Sequence, residues 1–84
     1  MKITPKTNLG DVNNNFAGSW VVVHMKDGRT LHLYIVNTDD EFQRNDEDDE
    51  PKLNAIIYNT TGSNSYRNGI AFDDVDSIEL DDNH

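Results

Sequence analysis

The 84-residue chain contains no cysteine. That absence excludes disulfides and thiolate-bound zinc as sources of stability and fits a reducing compartment, so a cytoplasmic location is expected. No apolar run approaches the ~18 residues of a membrane-spanning helix. The opening "MKITPKTNLG" carries positive charge without the apolar run of a secretory leader. The expectation is a soluble protein with no membrane association. Basic charge is scarce too: 7 Lys and Arg stand against 16 Asp and Glu, a net charge of −9. Bulk charge of that sign opposes binding to DNA, RNA or anionic lipid. Ser19, Ser63, Ser65 and Ser77 lie in no nucleophile motif, and there is no glycine-rich phosphate loop. The chain is expected to be no enzyme, with no catalytic residues and no cofactor. Its length lies below the usual ~100–200 residues per domain, so residues 1–84 are read as one domain with a small core.

The acids that are present are concentrated. Asp39–Glu50 holds eight carboxylates and one arginine, and Asp73–His84 holds six carboxylates and no Lys or Arg. The remainder carries six basic residues against Asp11 and Asp27, and is therefore positive. The stretch "NTDDEFQRNDEDDEP" admits three readings: a metal site, a mimic of nucleic-acid phosphate, or a solvated loop. A calcium loop needs alternating oxygen ligands and a glycine at its sixth position. Asp46, Asp48 and Glu50 alternate, but Pro51 stands where the glycine belongs, so no metal is expected. Clustered like charges in a polar loop ordinarily repel one another and stay solvated. Held against a partner, Asp46, Glu47, Asp48, Asp49 and Glu50 would instead present carboxylates to a basic groove.

The secondary-structure signals are those of strands. "WVVVHMKDGRTLHLYIV" contains two β-rich runs, Trp20–Met25 and Thr30–Val36, around Asp27-Gly28. A two-residue Asp-Gly turn would mix polar and apolar groups on both faces. A three-residue loop Lys26-Asp27-Gly28, with a left-handed Gly28 in a G1 bulge, pairs Val23 with Leu31 and Val21 with Leu33. It separates an apolar face (Val21, Val23, Leu31, Leu33, Ile35) from an amphipathic one (Trp20, Val22, His24, His32, Tyr34). Burial of one face selects the bulged register. Residues 38–51 are then expected to form an acidic loop. "KLNAIIYN" reads as a third strand, with Leu53, Ala55 and Ile57 on one face and Ile56 and Tyr58 on the other. "TTGSNSYRNG" is a second connection, and "GIAFDDVDSIEL" reads as strand, one helical turn capped by Asp73, and strand. Leu9, Val12 and Phe16 are spaced for a short helix within residues 1–18, although Gly10 and the run of asparagines oppose it; an ordered arm is the alternative. Residues 81–84 are expected to fray. The pattern is all-β.

This order of elements resembles the Sm-like small β-barrels. The resemblance is carried by "VVVHMKDGRTLHLYI", similar to the first Sm motif, and by "NGIAFDDVDSIEL", similar to the closing strand, helical turn and strand. It covers about a third of the chain. It implies a five-stranded, strongly bent antiparallel barrel, with a 3-10 turn before the last strand. It also implies RNA-contacting loops, whose places here would be taken by Asn37 to Asp40 and by Arg67-Asn68-Gly69. Two features depart from the family: bulky Leu33 or Tyr34 where its second strand carries glycine, and the acidic loop.

Two constellations remain. His24 and His32 share the amphipathic face, but no carboxylate near them in sequence has ligand-motif spacing, so they read as strand residues beside Trp20 and Tyr34. Trp20, His32 and Tyr34 form a candidate contact surface, since amphipathic aromatics concentrate at interfaces. The competing expectation is that Leu9, Val12 and Phe16 fold over this face and bury it. The reading favoured by charge and pattern is a non-enzymatic protein-interaction module. Its narrower form is an acidic inhibitor that fills the basic nucleic-acid-binding groove of a protein partner. The alternative is an Sm-like oligomeric RNA-binding ring, and the oligomeric state is left open.

Overall fold

The hairpin adopts the bulged register. Strand β1 (Ser19–Met25) and strand β2 (Thr30–Phe42) pair Val23 with Leu31, Val21 with Leu33, Val22 with His32 and His24 with Thr30. The loop closes through Met25 N–H donating to Arg29 O at 2.8 Å and Gly28 N–H donating to Met25 O at 3.1 Å. Gly28 has φ +95°, a backbone state that side chains with a Cβ rarely adopt. Asp27 completes the turn: its Oδ1 accepts from Arg29 N–H at 3.0 Å and its Oδ2 from Arg29 Nε at 2.7 Å. The slip that would exchange the faces is refused because Val21, Val23, Leu33 and Ile35 are all buried.

The chain is described here from a computed structural model over residues 1–43, 51–62 and 68–82. It folds as one five-stranded antiparallel sheet with a short helix. Strand β3 (Leu53–Asn59), strand β4 (Asn68–Ala71), the 3-10 turn η1 (Phe72–Asp74) and strand β5 (Val75–Leu80) follow the hairpin. The spatial order is β4-β3-β2-β1-β5. Among the described residues no ladder joins β4 to β5, so the sheet is open at those two edges and no closed barrel is formed by hydrogen bonding.

β2 is nearly twice as long as its sequence signal. It runs through Asn37, Thr38 and Asp39, which pair with Ile57, Ile56 and Ala55, and it ends at Phe42 opposite Leu53. The start of the acidic stretch is therefore strand rather than loop, a correction to the expected boundary at residue 38. Asn37 to Asp40 likewise lie within β2 and form no loop. The cause is pairing: extending β2 gives the edge of β3 a hydrogen-bonding partner along its length, and a polar strand needs only such a partner for its own backbone groups. The register shifts twice, between Ile35 and Asn37 and between Asp39 and Phe42. At each point β2 carries one residue more than β3, as in a β-bulge, which bends the strand.

Helix α1 (Leu9–Phe16) forms despite its asparagines. Asn8 Oδ1 caps it by accepting from Asp11 N–H at 3.2 Å, and Asp11 sits in the first turn, where the helix dipole favours negative charge. Tertiary burial outweighs propensity: Val12 and Phe16, one turn apart, join Val21, Val23, Leu33, Ile35, Ile56, Phe72, Val75 and Ile78 in the core. Ile3 is there as well, at 1 % exposure. It arrives through a short antiparallel pairing with β5, in which Met1 O accepts from Ile78 N–H at 2.8 Å and Ile3 N–H donates to Asp76 O at 2.9 Å. Asp73 does not cap η1; it lies inside that turn, whose N-cap is Ala71 with no side-chain hydrogen bond. Val75, the first residue of β5, is buried. Across the sheet, Gly69 faces the Phe42 ring so closely that a Cβ there would lie 2.7 Å from Phe42 Cδ1.

Candidate interaction surface

The side chains of β1 alternate, so burying Val21 and Val23 turns Trp20, Val22 and His24 to the opposite face. Cross-strand pairing then places Tyr34 beside Trp20, His32 beside Val22 and Thr30 beside His24 on one flank. On the other flank Glu79 stands beside Val22 and Ser77 beside His24. The Trp20 and Tyr34 rings meet edge to face, with centroids 5.6 Å apart and planes at 65°.

The expectation that the N-terminal segment folds over this face is corrected. Val12 and Phe16 pack into the core on the other side of the sheet, where Val21, Val23, Leu33 and Ile35 offer an apolar partner surface. Trp20 is half-buried for a different reason. Asn59, opposite Tyr34 and only 2 % exposed, accepts at Oδ1 from Thr61 N–H at 3.1 Å and from Gly62 N–H at 2.9 Å. This side-chain-closed turn brings Gly62 onto the indole, where a Cβ would lie 3.1 Å from Trp20 Cζ2. The tryptophan is thus held along one edge, with its partner Tyr34 also half-buried.

Two histidine–carboxylate pairs cross the face in the same diagonal sense. His24 Nε2 lies 3.2 Å from Glu79 Oε1, with Thr30 Oγ1 3.5 Å from its Nδ1. His32 Nδ1 lies 3.1 Å from Asp81 Oδ2. Asp81 also donates its N–H to Trp20 O at 3.0 Å. The expected fraying of residues 81–84 therefore does not begin at Asp81: the chain is tied there by main chain and side chain together.

Of the expected contact residues, Trp20, His32 and Tyr34 are brought onto one face, while Asp46, Glu47, Asp48, Asp49 and Glu50 lie outside the described residues. Of the expected Arg67-Asn68-Gly69 turn, Arg67 also lies outside them, and Asn68 and Gly69 open β4. Glu79, Asp81 and Asn59 join the site without having been singled out by sequence. Alternation along "DSIEL" gives Ser77 and Glu79 the parity opposite to Ile78, which is the signal that was there to be used. Nothing in "DDNH" marks Asp81, because its partner is 49 residues away.

No described group of three or more His, Asp or Glu side chains is arranged to hold a metal ion. A cleft of about 340 Å³ between Pro5, the start of β3 and η1 has Lys52 and Asp73 as its ionisable lining groups. No described helix is long and apolar enough to cross a membrane. No protein-family model, curated protein or solved structure matches the chain.

Proposed function

We propose that this chain is a non-enzymatic protein-interaction module, built on a small bent sheet of Sm-like kind, that engages a basic surface of a protein partner. The observation that carries the reading is the Trp20–Tyr34 edge-to-face pair, held half-buried on a sheet face that the helix leaves uncovered. Rigid aromatics with polar tips, kept partly open on a three-strand platform, are what interface anchors require. The net charge of −9 selects basic partners and repels nucleic acid. In the narrower form of the proposal, the carboxylates of 46–50 enter a groove that otherwise holds phosphates, which makes the chain a cytoplasmic inhibitor of a nucleic-acid-binding protein.

The test is co-purification from cells that express the tagged chain, followed by a challenge with free DNA. A partner that is released by DNA, and lost on Trp20→Ala or on neutralising Asp46–Glu50 to Asn and Gln, supports the proposal. Unchanged recovery in both variants refutes it. The second reading, an oligomeric RNA-binding ring, is favoured by the order hairpin, strand, strand, 3-10 turn, strand. Light scattering and RNA binding at two salt concentrations decide it: a monomer without RNA affinity at low salt excludes the ring.

A further inference from the structure

We infer that the face shared by β5, β1 and β2 docks an extended, arginine-bearing segment of a protein partner, with Glu79 as its anchoring carboxylate and Trp20–Tyr34 as its apolar seat; this rests on the interaction-module reading above. The Glu79 side chain is 62 % exposed, yet it is not adrift, because Oε1 is held 3.2 Å from His24 Nε2. A carboxylate oriented before binding loses less side-chain freedom when a guanidinium arrives. Beneath the neighbouring His32, the Asp81 side chain is only 8 % exposed, so its charge is screened less by water and salt than a surface carboxylate. Asp82 follows, exposed.

Among the described residues, the ionisable groups facing this surface are His24 from β1, His32 and Tyr34 from β2, Glu79 from β5 and Asp81 just beyond it. At its margin Lys2 pairs with Ser77 through the main chain, and its Nζ lies 3.5 Å from Asp76 Oδ1. No described lysine or arginine is placed to satisfy Glu79.

The spacing selects the shape of the occupant. Glu79 stands in the row of Val22, and Trp20 begins the next row along β1. Rows on one face of a sheet are about 7 Å apart, which is also the spacing of alternate side chains in an extended peptide. The Glu79 carboxylate leans from that row toward His24, away from Trp20, so one residue of such a segment meets Glu79 and another on the same side, about two to four positions on, meets the aromatic pair. Arginine suits both places better than lysine, since its planar fork matches a carboxylate and its flat face stacks on indole. Single-stranded RNA would also find rings on which to stack, but its phosphates would meet Glu79 and Asp81.

The test titrates the full chain with a short arginine–glycine peptide and, separately, with oligouridylate, reading Trp20 fluorescence and the imidazole resonances of His24 and His32. The expected result is peptide-dependent change at Trp20 and His24, with affinity lowered roughly tenfold by E79Q, the size of one lost charge-assisted hydrogen bond. Neutralising Asp46–Glu50 is expected to leave the changes at Trp20 and His24 in place. If E79Q and the loop-neutralised chain lose affinity equally, with no change at Trp20, this docking face is refuted while the acidic-module reading stands. Oligouridylate that perturbs Trp20 in place of the peptide overturns the assignment in favour of RNA. Absence of any peptide binding removes both the face and the module reading.

Discussion

His32 is laid over Asp81. The ring Nδ1 lies 3.1 Å from Oδ2, the imidazole side chain is 61 % exposed, and the carboxylate beneath it is 8 % exposed. The histidine is thus the outer half of a two-layer contact that fixes the chain just beyond β5, where Asp81 N–H also reaches Trp20 O. Asp81→Ala is expected to cost about 1.5–3 kcal/mol, the usual worth of a hydrogen bond to a charged group. Urea denaturation measures it, and hydrogen exchange at the Asp81 amide should quicken alongside. A loss below about 0.5 kcal/mol, the range of ordinary surface substitutions, would show that the carboxylate holds nothing.

Gly69 and Phe42 form a second obligate pair. The ring covers the glycine so closely that any Cβ at position 69 collides with it. An aromatic laid over a strand glycine recovers contact area that glycine cannot supply itself. Gly69→Ala is expected to destabilise the fold by about 1–3 kcal/mol through overpacking. In a Phe42→Ala background the same change should cost clearly less, because the obstructing ring is gone. Equal costs in the two backgrounds, measured as a double-mutant cycle, would show that the two residues are energetically independent.

The hairpin loop carries a pH dependence with a definite sign. The Arg29 backbone N–H bonded to Asp27 holds that carboxyl below its ordinary range; partial desolvation opposes this, and the Arg29 guanidinium adds to the lowering. As pH falls, the unfolded chain therefore takes up this proton before the folded chain does. The contribution of the turn is complete above the ordinary Asp value of about 4 and is lost as pH drops through the lower folded value. Asp27→Asn keeps an acceptor for the Arg29 N–H but removes the charge. The stability gap between the parent chain and this variant should be flat from pH about 7 to about 5 and narrow below about 4. A gap that widens on acidification would contradict the assignment.

Much of the hairpin was legible because two local rules agree there. The Asp-Gly dipeptide places the turn, the period-2 pattern admits only the bulged one of its two registers, and the ladder from Trp20–Tyr34 to His24–Thr30 follows it. The second half of β2 was not legible: Asn37, Thr38, Asp39 and Asp40 have poor strand character, and only pairing with the apolar β3 makes them strand. That Trp20, His32 and Tyr34 share one face was legible from the same alternation, whereas what lies around them was not. Val12 and Phe16 have the spacing of a helix face, but spacing does not say against which side of a sheet that face packs. Glu79 and Asp81 meet their histidines 55 and 49 residues away, contacts that no local pattern encodes.

Ile3 was equally hidden, and it supports the last prediction. "MKITP" has one apolar residue worth burying, flanked by polar ones, and no periodicity. Its partner is instead the outer edge of β5, where Met1 to Ile3 run antiparallel to Asp76–Ile78 and drop Ile3 into the core at 1 % exposure. Two effects are thereby joined: filling a cavity and covering an edge whose backbone groups would otherwise invite another strand. Ile3→Ala tests the first alone and is expected to cost about 2–4 kcal/mol, as for other aliphatic truncations in a core. Deleting residues 1–3 removes both, and should add concentration-dependent self-association visible by light scattering. If the deletion stays monomeric and matches Ile3→Ala in stability, the strap acts only as a plug for the core and the β5 edge needs no cover.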